Sequence, residues 1–355
     1  MPIPLSTVSA IASVSETLRF VPITLAVIIA TAFFWMENPE VSAVEQDVAE
    51  APILSLAFTP DADNLIAISQ AGLKVYRWPS LDLINRNEVE AASELIVNKV
   101  ETPHTVSFSP LSNILTIAGG IASQNGAFVS FSWPDFQPLQ YSMSHQDSVM
   151  ETRWLDGKHL VTASMDGEIQ IREAINPSSP LKLIGHSKGV TSICVADDQH
   201  LISGGVDSTL RVWNLETYKL ERTLNQHSGV ITDLAPSPLP SAHPVIASAS
   251  EDHSVRFWQP TIGRLIRFTK LNSTPLRIAW VVKKDLAPTN LLIAACSDGT
   301  LRIIDPQNAT VIKQMETGLQ RIFSLAIHPS DYSAVAGGDR GQIMRIKLDL
   351  STQHE

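Results

Sequence analysis

Cysteine is almost absent from this chain. Two residues in 355, Cys194 and Cys296, are too few for a disulfide framework and fit neither zinc-site spacing nor C-x-x-C-H haem attachment. No metal, haem or other cofactor is therefore expected. Basic residues are scarce as well: 26 Lys and Arg stand against 36 Asp and Glu, giving a formal net charge of -10, and they form no cluster. A nucleic-acid groove or an anionic-lipid surface needs a basic stripe, so no nucleic-acid partner is expected. Only 17% of residues are charged while 44% are hydrophobic, which supplies a sizeable core. The length suits one large all-β domain or two ordinary ones.

One long apolar run is present. "FVPITLAVIIATAFFWM", residues 20–36, holds seventeen uncharged residues, the short end of what spans a bilayer, with Phe33, Phe34 and Trp35 where an interfacial belt belongs. It reads as a single N-terminal transmembrane helix after a segment 1–19. The competing reading is a signal peptide cleaved near Ala32 or Ala43, which would release a secreted domain. An apolar run longer than the usual signal core, after a barely basic leader, favours the anchor. Arg19 precedes the run and no Lys or Arg reappears until Lys74. The positive-inside rule then places the N-terminus in the cytoplasm and the main domain on the extracytoplasmic side.

From Ile53 onward the chain repeats. His145, His186 and His227 are spaced by 41 and 41, and Asp166, Asp207, Asp252 and Asp298 by 41, 45 and 46, the period of a propeller blade. Each unit reads as three alternating strands separated by turns, followed by a fourth. The first strands align as "ILSLAF", "HTVSF", "METRW", "TSICV", "TDLAP", "LRIAW" and "FSLAI", which puts Phe58, Phe108, Trp154, Val195, Pro236, Trp280 and Ile327 in one column. Seven occurrences mean seven blades. Trp154 and Trp280 then pack between blades.

"GHSKGVTSICVADDQHLISGGVDSTLRVWN" (Gly185 to Asn214) and "QHSGVITDLAPSPLPSAHPVIASASEDHSVRFWQ" (Gln226 to Gln259) resemble the WD-repeat β-propeller family. The resemblance covers roughly residues 51 to 350. It implies a hydrogen-bonded tetrad in each unit: His186, Ser203, Asp207 and Trp213 in one, His227, Ser248, Asp252 and Trp258 in the next. It also implies a non-catalytic scaffold that binds proteins through loops at one end of the ring. "GHSKG" fits the G-x-S-x-G nucleophile elbow, but an elbow needs a helix after its Ser. "GVTSICVAD" is strand-like and the next repeat carries "QHSGV", so no catalytic residue and no small-molecule substrate is expected.

The other units depart from the pattern. Tyr76 and Phe131 stand where Trp213 does, in blades that lack the His and the turn Asp. In the third blade Arg172 takes the Trp position, and His145, Thr162 and Asp166 keep the rest. Arg172 is expected to pair with Asp166, and Arg153 with Glu151. Alternatively, Arg153 is a candidate channel residue that binds an anion. Met165, Val206, Glu251 and Ser297, each preceding a turn Asp, together with Lys188 and His253, form the candidate partner-binding face.

The expected organisation is a segment 1–19, an anchor 20–36, a linker carrying the ring-closing strand at 37–50, blades at about 51–95, 96–143, 144–184, 185–226, 227–271, 272–315 and 316–350, and a tail 351–355. The closing strand is expected from the N-terminal side, because "STQHE" after Leu350 is too short to supply one. The function expected is a membrane-anchored, non-catalytic scaffold with an unidentified protein partner. An enzymatic propeller with a site in its central channel is the alternative from another class.

Overall fold

The computed structural model describes residues 41–44, 51–175, 179–283 and 289–348. The proposed anchor at 20–36, the segment before it and the tail 351–355 lie outside the described residues. Among the described residues, no helix is long and apolar enough to cross a membrane.

Period-two alternation sets the strands, and these form seven four-stranded sheets. Strand β1 (Val41–Val44) comes first. The first blade holds β2 (Ser55–Phe58), β3 (Asn64–Ser69), β4 (Gly72–Arg77) and β5 (Asp82–Leu83). The second holds β6 (Pro103–Phe108), β7 (Ile114–Ile121), β8 (Asn125–Ser132) and β9 (Pro138–His145). The third holds β10 (Val149–Trp154), β11 (His159–Ser164), β12 (Glu168–Glu173) and β13 (Leu181–Ile184). The fourth holds β14 (Val190–Asp197), β15 (His200–Gly205), β16 (Leu210–Asn214) and β17 (Leu220–Leu224). The fifth holds β18 (Ile231–Pro236), β19 (Ile246–Ser250), β20 (Ser254–Gln259) and β21 (Arg264–Lys270). The sixth holds β22 (Pro275–Lys283), β23 (Thr289–Cys296), β24 (Thr300–Asp305) and β25 (Thr310–Glu316). The seventh holds β26 (Ile322–Ile327), β27 (Ala334–Gly338) and β28 (Ile343–Ile346), with β1 beside β28 as its fourth strand. The described residues form an all-β, seven-bladed propeller.

The core lies between blades. Val161, Ile169 and Ile171 of the third blade pack with Ile193, Leu201 and Trp213 of the fourth. Cys194, Ile202 and Val212 of the fourth pack with Leu234, Ile246 and Trp258 of the fifth. The residue at the Trp213 position thus faces the preceding blade. Strand register holds this column around the ring: Tyr76 opposes Leu65, Phe131 Leu115, Arg172 Leu160, Trp213 Leu201 and Trp258 Ile246. Both cysteines are buried and free.

One element breaks the strand pattern. Strand β5 has only two residues, and helix α1 (Asn87–Lys99) follows it. Glu88 and Glu90 occupy its first turn and Lys99 its last, the charge order that suits the helix dipole. Val89, Ala92 and Ile96 form its buried stripe and join Val75, Val106 and Phe131 in one cluster. The helix covers the outer edge of β4, where Ser93 Oγ accepts a 3.0 Å bond from the Leu73 N–H, so the edge does not stay open. The blade boundary expected at residue 95 falls inside α1. An i, i+3, i+7 apolar stripe marked it in the sequence.

Candidate functional site

At the end of the ring where each blade's second and third strands meet, three blades carry a buried histidine network. In the fourth, Trp213 Nε1 donates to Ser203 Oγ at 2.8 Å, Ser203 Oγ lies 2.7 Å from His186 Nε2, and His186 Nδ1 is 3.0 Å from Asp207 Oδ1. In the fifth, Trp258 Nε1 donates to Ser248 Oγ at 2.8 Å, Ser248 Oγ lies 2.7 Å from His227 Nε2, and His227 Nδ1 is 2.8 Å from Asp252 Oδ2. The indole can only donate, so one proton order follows. The serine hydroxyl donates to Nε2, and Nδ1–H donates to the carboxylate. Each Asp also caps its loops: Asp207 accepts from the Ser187 and Thr209 N–H groups, and Asp252 from those of Ser228 and Ser254.

Electrostatics agrees with a structural role. Burial holds the His227 imidazole down, to about 4, against the pull of Asp252. His186 is lowered for the same reason. Burial pushes the Asp252 carboxyl up, but the hydrogen bonds from Ser254 and His227 outweigh it and leave the group below its usual range. Because His186 Nε2 is engaged by Ser203, Ser187 does not gain a general base. Its Oγ lies instead 3.4 Å from Asp207 Oδ2, and the strand β14 follows where an elbow requires a helix.

The third blade keeps half of the network. His145 Nδ1 is 2.9 Å from Asp166 Oδ2 and Nε2 is 2.8 Å from Thr162 Oγ1. Arg172 does not pair with Asp166, contrary to expectation. Like every residue in its column it turns to the preceding blade, where it donates to Ser142 Oγ at 2.7 Å and Ser144 Oγ at 2.6 Å and lies 5.4 Å over the Phe128 ring. It also donates to Gln170 Oε1. His145, Asp166 and Glu168 come close enough to suggest a metal site. Their donor atoms are already engaged, however, by one another, by Thr162 and, at Glu168, by Lys182 at 2.8 Å.

The backbones of Met165, Val206, Glu251 and Ser297 share one role. Their N–H groups donate to Ser148, Gly189, Val230 and Thr274 carbonyls at 2.8–3.0 Å, which staples each second turn of a blade to the loop entering that blade. Their side chains differ: Glu251 is exposed, and Met165, Val206 and Ser297 are half-buried. Lys188 and His253 are exposed beside them. The Ser297 hydroxyl is 2.9 Å from that of Ser273.

The central channel encloses about 390 Å³ and is lined by all seven innermost strands. Arg153 is in its wall and pairs with Glu151. Arg277, Asp233 and His104 share this wall, so two guanidiniums face two carboxylates. Burial pushes the Asp233 carboxyl up despite Arg277 and holds His104 down, with Arg277 acting in the same direction. These groups also stitch the ring. Glu151 Oε2 accepts from the Ile193 N–H at 2.8 Å, Ser192 Oγ from Leu234 at 3.0 Å, Asp233 Oδ2 from Ile278 at 2.8 Å and Ser55 Oγ from Val106 at 3.2 Å. Ser324 Oγ donates to the Ile53 carbonyl at 2.8 Å across the seam between the seventh and first blades. A signal for this collar was present: the residues three before the Phe58 column are Ser55, Thr105, Glu151, Ser192, Asp233, Arg277 and Ser324, polar in every blade.

Trp280 lines the same cavity and donates through Nε1 to the Ala235 carbonyl at 3.0 Å. Trp154 is buried against the second blade.

The model of the WD domain, G-beta repeat, matches residues 178–214 and 218–259, the two units with complete tetrads. The WD repeat-containing protein pop2 of Schizosaccharomyces pombe is 33% identical over 140 residues, 36% of this chain and 20% of that protein. The protein transport protein sec13 of Aspergillus fumigatus is 31% identical over 138 residues, 32% of this chain and 45% of that one. The methylosome protein WDR77 of Xenopus laevis is 24% identical over 244 residues, 64% of this chain and 71% of that protein. The matched region therefore spans a fifth of the length of pop2.

Proposed function

We propose that this seven-bladed propeller with WD repeats is a non-catalytic protein-interaction platform, held at a membrane by residues 20–36 with the ring on the extracytoplasmic side. The observation that carries the platform reading is the division of labour at the tetrad end. His145, His186, His227 and their carboxylates are buried and mutually satisfied, which leaves no poised acid, base or nucleophile there. The loops they fix present Lys188, Glu251 and His253 to solvent. Rigid loops that display varied side chains favour recognition, because little conformational entropy is lost on binding. The charge balance of Arg153, Arg277, Glu151 and Asp233 argues against an anionic ligand held by Arg153 alone. The resemblance to WD-repeat proteins supports the same reading at the level of fold.

The anchor rests on the seventeen-residue apolar run, and the orientation on Arg19. A cut at Ala43 would divide β1, the fourth strand of the seventh blade, which counts against that cleavage site, whereas a cut at Ala32 would leave the strand whole.

The test is quantitative co-purification from solubilised membranes of the parent and of a variant combining Lys188→Glu, Glu251→Lys and His253→Ala. The expected result is a discrete set of proteins lost from the variant at unchanged thermal midpoint. Identical sets would refute the assignment of the face. Protease treatment of intact cells is expected to digest the ring, and digestion only after lysis would overturn the orientation.

A further inference from the structure

Two blades share an aromatic-x-Trp-Pro corner, and at only one of the two tryptophans do an arginine and a histidine of the chain lie against the ring. In the first blade Trp78 meets the edge of Phe58 at 5.0 Å, between planes at 88°. Its face is taken by the seventh blade: the His328 ring stacks on it at 4.8 Å and 15°, and the Arg345 guanidinium lies 4.6 Å from its centroid. That guanidinium also donates to the Pro79 carbonyl at 3.4 Å and pairs with Asp331 at 3.3 Å. An indole face, a proline carbonyl and a carboxylate together hold a planar cation.

In the second blade Trp133 repeats the first half of this arrangement. It packs nearly perpendicular to Phe108 at 5.6 Å and 87° and to Phe136 at 5.3 Å and 76°, and its backbone N–H donates to the Asn113 carbonyl at 2.8 Å as that of Trp78 does to the Asp63 carbonyl. The covering residues, however, have changed. Register places Val75 of the first blade where the seventh has Arg345, and Thr59 where it has His328, each directly after its Phe58-column residue. The Thr59 hydroxyl is bonded to Asp61 Oδ1 and the Asn64 carbonyl, and the Asp63 N–H also donates to Asp61 Oδ1, which leaves Asp61 Oδ2 for a ligand. A cavity of about 490 Å³ remains, lined by Trp133, Pro134, Val75, Asn64, Asp61 and Arg86, among others. Among the described residues, no guanidinium or imidazole is placed over the Trp133 face.

We propose that this cavity between the first and second blades, at the end of the ring opposite the tetrads, receives an arginine side chain from a partner protein. The guanidinium stacks on Trp133, donates to the Pro134 carbonyl and pairs with Asp61, as Arg345 does with Trp78, Pro79 and Asp331. The chain carries its own template for the ligand. The inference does not depend on the tetrad-end face, and a partner could use either surface without the other.

The test is 19F NMR of the full-length protein in detergent, labelled with 5-fluorotryptophan, the Trp133 signal being identified from Trp133→Phe. Titration with N-acetyl-arginine amide is expected to move the Trp133 signal saturably at millimolar concentration and to leave that of Trp78 unmoved. N-acetyl-citrulline amide, the neutral isostere, is expected to move neither. Val75→Arg supplies the guanidinium from within and is expected to abolish the response, Asp61→Asn to weaken binding several-fold, and Arg86→Ala to strengthen it. An unshifted Trp133 signal, or an equal response to citrulline, would overturn the proposal. So would an unchanged response in a folded Val75→Arg protein.

Discussion

Replacing Asp207 by alanine removes the carboxylate that receives His186 Nδ1–H, two loop N–H groups and the Thr209 hydroxyl. The His186 side chain is fully buried, so its donor would be stranded without water, at about 1–3 kcal/mol. Ser187 is exposed and its N–H can turn to solvent, which limits the remaining loss to about 1 kcal/mol. The sum is about 2–4 kcal/mol. For a domain of about 300 residues the unfolding entropy converts 1 kcal/mol into about 1.5 °C, so the thermal midpoint is expected to fall by about 3–6 °C. Asp198→Ala, on the exposed turn between β14 and β15, is the control and should stay within about 0.5 kcal/mol. Circular dichroism melting of the two variants decides the matter. A midpoint for Asp207→Ala indistinguishable from that of Asp198→Ala would refute the tetrad as a stabilising network.

Acid should weaken the ring through its buried His227. Folded His227 protonates only near 4 whereas the unfolded residue does so near 6.5, so the unfolded chain takes up the extra proton between these values and stability falls as pH drops through that window. At 1.36 kcal/mol per unit the loss by pH 4.5 is about 2–3 kcal/mol, seen as a falling melting midpoint that flattens in His227→Gln. Arg172→Ala would leave the Ser142 hydroxyl and the Phe128 face without their partner, while Ser144 keeps its bond to Gln170, and should cost about 2–4 kcal/mol. Urea unfolding would measure this, with Arg172→Trp expected to lose less because it restores the aromatic residue that Tyr76, Phe131, Trp213 and Trp258 supply in this column. Ile96→Ala, fully buried in α1, should cost about 2–4 kcal/mol through a cavity. A loss below 1 kcal/mol in the same assay would mean the helix does not hold the edge of β4.

The repeat was legible because each blade must present the same face to its neighbours. Spacing of His and Asp, and one column of first-strand residues, therefore sufficed to count seven blades. The complete tetrads were legible for the same reason, since Trp213 and Trp258 can reach a serine only from one strand position. Arg172 was misread because a charged residue near an aspartate invites pairing in sequence, whereas the blade turns that position away from Asp166. Helix α1 was overlooked because a strand was assumed where the fourth strand of a blade belongs. The cavity at Trp133 could not be read at all: it arises from two small residues, Thr59 and Val75, whose effect depends on the seventh blade having His328 and Arg345 in their place.

The most direct measurement is photocrosslinking in living cells from a benzophenone amino acid placed at Lys188 or Glu251, and at Lys219 in the turn between β16 and β17 as reference. If the tetrad end is the partner-binding face, discrete higher-mass adducts form from the first two positions and not from Lys219. No adducts from Lys188 and Glu251, or the same adducts from all three positions, would contradict it.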